Sequence, residues 1–219
     1  LHRAALGPAL VIAPTSVCGN WVAEAQRFAP GLRVGLYGDG ERAALLDSAA
    51  PFDLVIASYS LAQIDDEAFA KVEWATLVLD EAQALKNAAT KRAKSVATLQ
   101  AGFRLALTGT PVENRLADLW SIMNLLNPGL LGNATQFAER FGNAIEKARD
   151  EGARSRLRRL VSPFLLRRTK AQVLTDLPPR TEIIHRVEPG PEERAFLEAT
   201  RRSAIDRVSE LDDTLEEGQ

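Results

Sequence analysis

Read as a pattern of apolar and polar positions, the chain changes its period part-way along. Short unbroken apolar runs recur in the first half, at residues 10–13 (LVIA), 33–36 (RVGL), 53–57 (DLVIA), 76–79 (TLVL) and 104–107 (RLAL). Runs this short, without apolar/polar alternation, predict strands covered on both faces, as in a parallel sheet. Helical composition fills the gaps. One helix is expected through Trp21 to Phe28, capped by Thr15 or Ser16 and stopped at Pro30-Gly31. Others are expected at residues 41–48, through Phe69, and at 88–99 with Lys91, Arg92 and Lys94 outside. Strands alternating with helices of about a dozen residues imply βαβ units and a parallel sheet.

Beyond Thr110 the strand-like runs give way to helical spacing. Thr110-Pro111-Val112-Glu113 combines a hydroxyl cap, proline at the first helical position and a carboxylate three residues after the cap. Leu116, Leu119, Trp120 and Met123 then share one face of the predicted helix. Asn127-Pro128-Gly129 breaks it, and helical composition continues to Val161. Pro178-Pro179 marks a linker, residues 181–187 a short strand, and Leu197, Ala204, Val208, Leu211 and Leu215 trace a second amphipathic helix. Asp212, Asp213, Glu216 and Glu217 form its solvated side. The expected organisation is an α/β domain over 1–127, a helical insertion over 128–176, and a linker with a following region over 177–219.

Composition narrows the classes. Hydrophobic residues make up 46% of the 219, ample for a packed core, and charged residues 26%, ordinary for a globular chain. The single cysteine, Cys18, excludes an internal disulfide and a cysteine-rich zinc site. No apolar run approaches the length of a membrane span. His2 and His185 have no partners at ligand spacing.

The net charge of -2 announces no nucleic acid, so a basic surface has to be local. One is present. Residues 152–175 contain no Asp or Glu but hold Arg154, Arg156, Arg158, Arg159, Arg167, Arg168 and Lys170, a local +7. Such clustering is an electrostatic footprint for phosphate; the plain alternative is a solvated helix face with Arg167 and Arg168 bridging to acidic residues.

Candidate chemistry gathers at strand ends. The run ending at Leu79 meets two adjacent carboxylates, Asp80 and Glu81, followed by Ala82-Gln83. In open α/β sheets ligands bind at the carboxyl ends of strands. One carboxylate there can hold Mg²⁺ beside a nucleotide, and the next can orient and activate a water. Three other strand ends carry hydroxyl clusters: Pro14-Thr15-Ser16, Ser58-Tyr59-Ser60 and Thr108-Gly109-Thr110-Pro111. All four are expected along one edge of one sheet.

These segments, in this order, resemble those of the Swi/Snf-type ATPases, the DNA-translocating branch of the superfamily 2 helicases. The resemblance rests on residues 10–21 (LVIAPTSVCGNW), 53–60 (DLVIASYS), 79–87 (LDEAQALKN), 107–115 (LTGTPVENR) and 164–181 (FLLRRTKAQVLTDLPPRT). Val112-Glu113-Asn114-Arg115 looks like the bacterial members. The resemblance implies a RecA-like parallel sheet flanked by helices, then a helical insertion and linker. It implies ATP and Mg²⁺ as ligands, double-stranded DNA as partner, and a cytoplasmic, nucleoid-associated protein. It assigns the metal to Asp80 and the base or water-orienting role to Glu81. Gln83 stands where many members have histidine, and its amide would link to the coupling loop Thr108-Gly109-Thr110. The segments holding Thr15, Ser16, Ser58 and Tyr59, with Arg167, Arg168 and Lys170, would meet the nucleic acid. Trp21 falls on the family's Asn-Trp pair and is expected as a core aromatic between helix and sheet.

One family feature is missing. The phosphate-cradling loop ends in Gly-Lys-Ser/Thr, and the sequence contains no Gly-Lys pair. The expectation is therefore an internal stretch of a longer ATPase, inactive by itself. Two rivals follow: a non-hydrolysing nucleic-acid or protein-binding module, and an RNA helicase lobe, which the Arg-Arg-Thr-Lys segment disfavours.

Overall fold

The structure, a computed structural model, describes residues 3–40, 42–109, 116–168, 172 and 188–216. The apolar runs become five strands: β1 (Ala9–Ala13), β2 (Arg33–Leu36), β3 (Asp53–Ser58), β4 (Thr76–Leu79) and β5 (Arg104–Ala106). They form one sheet in the order β2-β3-β1-β4-β5, with every pairing parallel. The register sets Ala13 beside Ser58, Ile12 beside Leu79, and Leu79 beside Ala106. Four strands therefore end close together on one edge.

Helices α1 (Thr15–Phe28), α2 (Arg42–Asp47), α3 (Tyr59–Ile64), α4 (Asp66–Ala70) and α5 (Lys91–Thr98) connect the strands. One core holds Leu10, Ile12, Phe69, Leu77, Leu79 and Leu85. Another, holding Val11, Ala13 and Ile56, packs against Trp21 and Val22 of α1. Alternate residues of one strand thus enter different clusters, as the two-residue side-chain period requires. Burial of each large aliphatic side chain contributes about 1.5–3 kcal/mol.

Coverage of the two faces is uneven where all strands were expected to be enclosed. In β4, Leu77 and Leu79 are buried while Thr76 and Val78 are half-buried. β5 lies at the sheet's edge, and its Leu105 is 40% exposed. Arg104 explains the local order there: its guanidinium donates to the carbonyl oxygens of Leu99 and Leu125, the latter at 2.8 Å. An arginine in this run holds the end of α5 and the end of the next helix to the strand.

Two further expectations change. Neither Thr15 nor Ser16 caps α1; the helix begins at Thr15, and Val17 N donates to Pro14 O at 3.0 Å. The first turn thus contains both residues, and their side chains are exposed. On α5, Lys91 and Lys94 are exposed, but Arg92 is half-buried against Tyr59. The cap of α5 is Thr90, whose Oγ1 accepts from Ala93 N at 3.2 Å.

The following described segment is helical: α6 (Leu116–Leu126), α7 (Ala134–Phe137), a π turn (Ala138–Gly142), α8 (Asn143–Glu146) and α9 (Glu151–Val161). Asn133 and Gln136 make a capping box at α7. Leu119, Met123, Phe137, Phe141, Leu157 and Val161 form a core of their own. Leu125 of α6 instead joins the sheet's core, so α6 stitches the two together. Contacts divide the chain into two compact units, Leu1–Leu166 and Arg167–Gln219. In the second, α10 runs Pro191–Glu216. Of its expected apolar face, Leu197 and Ala204 are exposed within the unit, as are the neighbouring Phe196 and Ile205; the side chains of Val208, Leu211 and Leu215 lie outside those described. The helix start at Thr110, the linker Pro178-Pro179 and the strand at 181–187 lie outside the described residues.

Candidate active site

Asp80 directly follows β4, and its backbone N donates to Ile12 O at 2.8 Å, extending the ladder by one residue. The chain then turns sharply. Glu81 has φ 50° and ψ 50°, the left-handed region. A non-glycine residue there costs of order 1–3 kcal/mol, and such strain concentrates at functional sites. A short 3₁₀ turn, Ala82–Leu85, follows and buries Ala82 and Leu85. Ala82 N donates to Leu107 O at 2.9 Å, binding this turn to the end of β5. The twist at Glu81 lets the carboxylate pair remain at the sheet's edge while the next residues enter the core.

Asp80 is held from three directions. Its Oδ2 accepts from the indole Nε1 of Trp21 at 2.8 Å. Its Oδ1 accepts from Glu81 N at 2.9 Å, and its carbonyl oxygen accepts from the Tyr59 hydroxyl at 2.8 Å. Tyr59 is buried, and its hydroxyl pKa is pushed well above the ordinary value, first by burial and then by the Asp80 charge. The phenol therefore stays a neutral donor. The Arg92 guanidinium lies 5.6 Å from the Tyr59 ring centroid, within cation–π range, and works against that shift.

A second chain of contacts crosses to β5. Gln83 Nε2 donates to Glu81 Oε2, and Gln83 Oε1 accepts from the Thr108 hydroxyl at 2.7 Å. The expected amide link between Gln83 and the Thr108-Gly109 loop is present, and it reaches Glu81 as well. A single neutral side chain thus touches both the candidate base and the neighbouring strand end. Gly109 is exposed; Thr110 lies outside the described residues.

The remaining candidates divide by exposure. Thr15 and Ser16 present their side chains to solvent. Ser58 is buried; its Oγ caps α3 by accepting from Leu61 N at 3.2 Å. Ser58 and Tyr59 thus have internal partners and serve as the wall behind the edge. Arg167 and Arg168 are exposed, and Lys170 lies outside the described residues. In α9, Ala153, Leu157 and Val161 face inward and all four arginines face out. Two of those arginines meet acids just before the acid-free span: Arg154 lies 3.0 Å from Glu151 and Arg156 4.0 Å from Asp150. The local +7 is partly offset by its own helix start.

The Trp21–Asp80 hydrogen bond is the contact at the candidate site that sequence reading missed. The core-aromatic expectation captures the half-buried ring but not its N–H, which points across 59 residues to Asp80. The only signal available was the polar handle every tryptophan carries, which finds a partner when buried.

Comparison with known proteins fits this geometry. The model of the SNF2-related domain matches residues 2–216. The chain belongs to the SNF2-related family. It is 42% identical over 209 residues to the putative ATP-dependent helicase/translocase YwqA of Bacillus subtilis, covering 93% of this chain and 23% of that protein. It is 36% identical over 212 residues to the chromatin-remodeling ATPase INO80 of Arabidopsis thaliana, covering 89% of this chain and 14% of the relative. The chain thus spans under a quarter of the length of these relatives. The Sulfolobus solfataricus SWI2/SNF2 ATPase core in complex with dsDNA superposes with a TM-score of 0.71 at 42% identity, over 80% of this chain and 36% of that one. The sheet and its helices are therefore the RecA-like fold of a SNF2 ATPase core. ATP is the nucleotide this SNF2-related membership implies.

Proposed function

We propose that this SNF2-related chain supplies the magnesium and water-activating carboxylates of a DNA-dependent ATPase, as part of a larger protein that translocates on duplex DNA. The observation that carries this reading is the linked set Trp21–Asp80–Glu81–Gln83–Thr108 at the carboxyl edge of β4 and β5.

The donor set fits magnesium of one kind. Among the described residues no group of three or more His, Cys, Asp or Glu is placed to cage a metal. Mg²⁺ is typically held by one or two carboxylates, water and substrate phosphates rather than by an all-protein cage. Asp80 suits that role: its two oxygens each accept one hydrogen bond, and a carboxylate offers about four lone-pair sites. When bound, magnesium supplies charge neutralisation at the phosphate oxygens. The chain's own contribution is positional. Glu81, next to the metal carboxylate, orients the attacking water and accepts its proton. Gln83 keeps that carboxylate registered to the end of β5, so that motion of the Thr108 loop is felt at the base.

Within the first unit, the nucleic-acid contacts are the exposed part of the same edge; those of the basic segment at Arg167 and Arg168 belong to the second unit and are taken by themselves. Thr15 and Ser16, on the first turn of α1, offer hydroxyls and helix-end N–H groups to a phosphate backbone. Arg167 and Arg168 add charge. The dsDNA complex of the Sulfolobus core favours duplex DNA over RNA as the partner. The direct test is steady-state phosphate release by the complete protein with duplex DNA, single-stranded DNA or duplex RNA. Stimulation by duplex DNA above the other two is expected; equal stimulation by RNA would refute DNA translocation. No turnover with any polymer would favour the non-hydrolysing module.

A further inference from the structure

We infer that Trp21 is the positioning residue of the metal carboxylate, and that it makes α1 the path by which events at Thr15 and Ser16 reach Asp80. This rests on the proposed role of Asp80 as the magnesium ligand. Three observations carry it.

The first is the contact itself. Trp21 Nε1 donates to Asp80 Oδ2 at 2.8 Å, and Glu81 N donates to Oδ1. A carboxylate on a short strand end can rotate about its side-chain torsions. Two donors, one on each oxygen, fix that rotation. Partners of this type orient metal ligands, and their loss typically costs 10–100-fold in metal affinity.

The second is where the indole comes from. Trp21 lies on α1, whose first turn contains the exposed Thr15 and Ser16. Its ring packs on Val11 and Ala13 of β1 and Ile56 of β3, so the indole lies at the seam between α1 and the sheet. A displacement of α1 by phosphate at its exposed end changes the Trp21–Asp80 distance directly. Among the described side chains, the Gln83–Thr108 link runs from the other side of the site and ends on Glu81, not on Asp80.

The third is that the other tryptophans use their N–H groups differently. Trp74 Nε1 donates to Phe69 O and Trp120 Nε1 to Gly132 O, both backbone acceptors within their own segments. Only Trp21, of the three, binds a carboxylate.

The test uses Trp21→Phe, which keeps an aromatic ring in the cluster and removes the donor. In the complete protein, binding of a fluorescent ATP analogue is titrated with magnesium. Trp21→Phe should raise the magnesium midpoint about tenfold, the low end for loss of such a partner, with metal-free nucleotide affinity unchanged. Trp120→Phe, which loses an equivalent bond elsewhere, should match wild type. Saturating duplex DNA should shift the midpoint in wild type and not in Trp21→Phe. A wild-type midpoint in Trp21→Phe, beside a shifted one in Asp80→Asn, would overturn the inference and spare the metal assignment. An unshifted Asp80→Asn would remove the metal assignment itself and this inference with it. An equal DNA shift in wild type and Trp21→Phe would overturn the path through α1.

A second measurement reads the wild-type protein, with the variant used only for assignment. The indole N–H resonance of Trp21, assigned by its loss in Trp21→Phe, should move on addition of magnesium and nucleotide to the complete protein, while those of Trp74 and Trp120 stay. A stationary Trp21 resonance, with nucleotide bound, would overturn the proposal.

Discussion

Gln83 accepts the hydroxyl proton of Thr108 at 2.7 Å, and the same amide donates to Glu81. An amide can do this because it carries both an acceptor oxygen and a donor nitrogen. Gln83→Leu keeps much of the volume and loses both bonds. Each is worth about 1 kcal/mol, so stability should fall by roughly 1–2 kcal/mol and DNA-stimulated turnover by roughly fivefold to tenfold. Gln83→His, which retains a donor and an acceptor, should restore most of it. Full stimulation in the leucine variant would show that this bridge does not couple the strand end to the base.

Glu81→Gln should bind nucleotide as wild type does and lose hydrolysis. The amide preserves shape but takes no proton from the water, and general-base groups contribute roughly 10²–10⁴ in rate. A single-turnover assay with a parallel nucleotide-binding measurement decides it. Retention of more than about a third of the rate would assign the base elsewhere.

The 219-residue chain itself should not turn over ATP. It carries Asp80 and Glu81 but no Gly-Lys pair to cradle the phosphates. Phosphate release with duplex DNA should stay at the protein-free baseline, and magnesium-dependent turnover by the pure chain would refute this.

The proposed role of Arg167 and Arg168 is either to hold phosphate or to fix structure, and salt separates the two. Each direct phosphate contact adds about 0.9 to the slope of log affinity against log salt. The double alanine variant of the complete protein should therefore bind duplex DNA with a slope flatter by about one to two. An unchanged slope with lost stimulation points to the structural role. Wild-type behaviour in both would return the basic segment to a solvated surface.

Alkaline pH should destabilise the fold through its two tyrosines. Tyr37 is pushed up to about 12 by burial, with its 3.0 Å hydrogen bond to Asp65 acting in the same direction. Tyr59 is raised further. Because the neutral phenols are favoured in the folded state, their contribution is complete below the ordinary tyrosine value of about 10. It is lost as pH rises from there through the folded-state values. Thermal melts across that window should show the fall, and Tyr37→Phe should make it shallower. An unchanged alkaline limb in that variant would mean Tyr37 is not linked to folding.

The sequence alone determined the parallel α/β architecture, because unbroken apolar runs separated by helical stretches admit few other arrangements. It also determined that Pro14-Thr15, Ser58-Tyr59, Asp80-Glu81 and Thr108-Gly109 share one edge, since parallel strands all end on the same side. Local chemistry was legible where it depends on neighbours in the chain, as in the Leu116–Leu119–Met123 face. What only the tertiary structure decided was lateral. Strand order placed Ser58 beside Ala13 and set Leu79, the residue before Asp80, between Ile12 and Ala106, and it made β5 an exposed edge although its apolar run reads like the others. The same holds for polar partners. Ser58 and Thr15 have similar hydroxyls at similar strand ends, yet one is buried as a cap and the other is exposed. The Trp21–Asp80 bond was beyond sequence reading for the same reason: hydrogen bonds depend on distance and direction in space, and sequence periodicity fixes neither for residues on different elements.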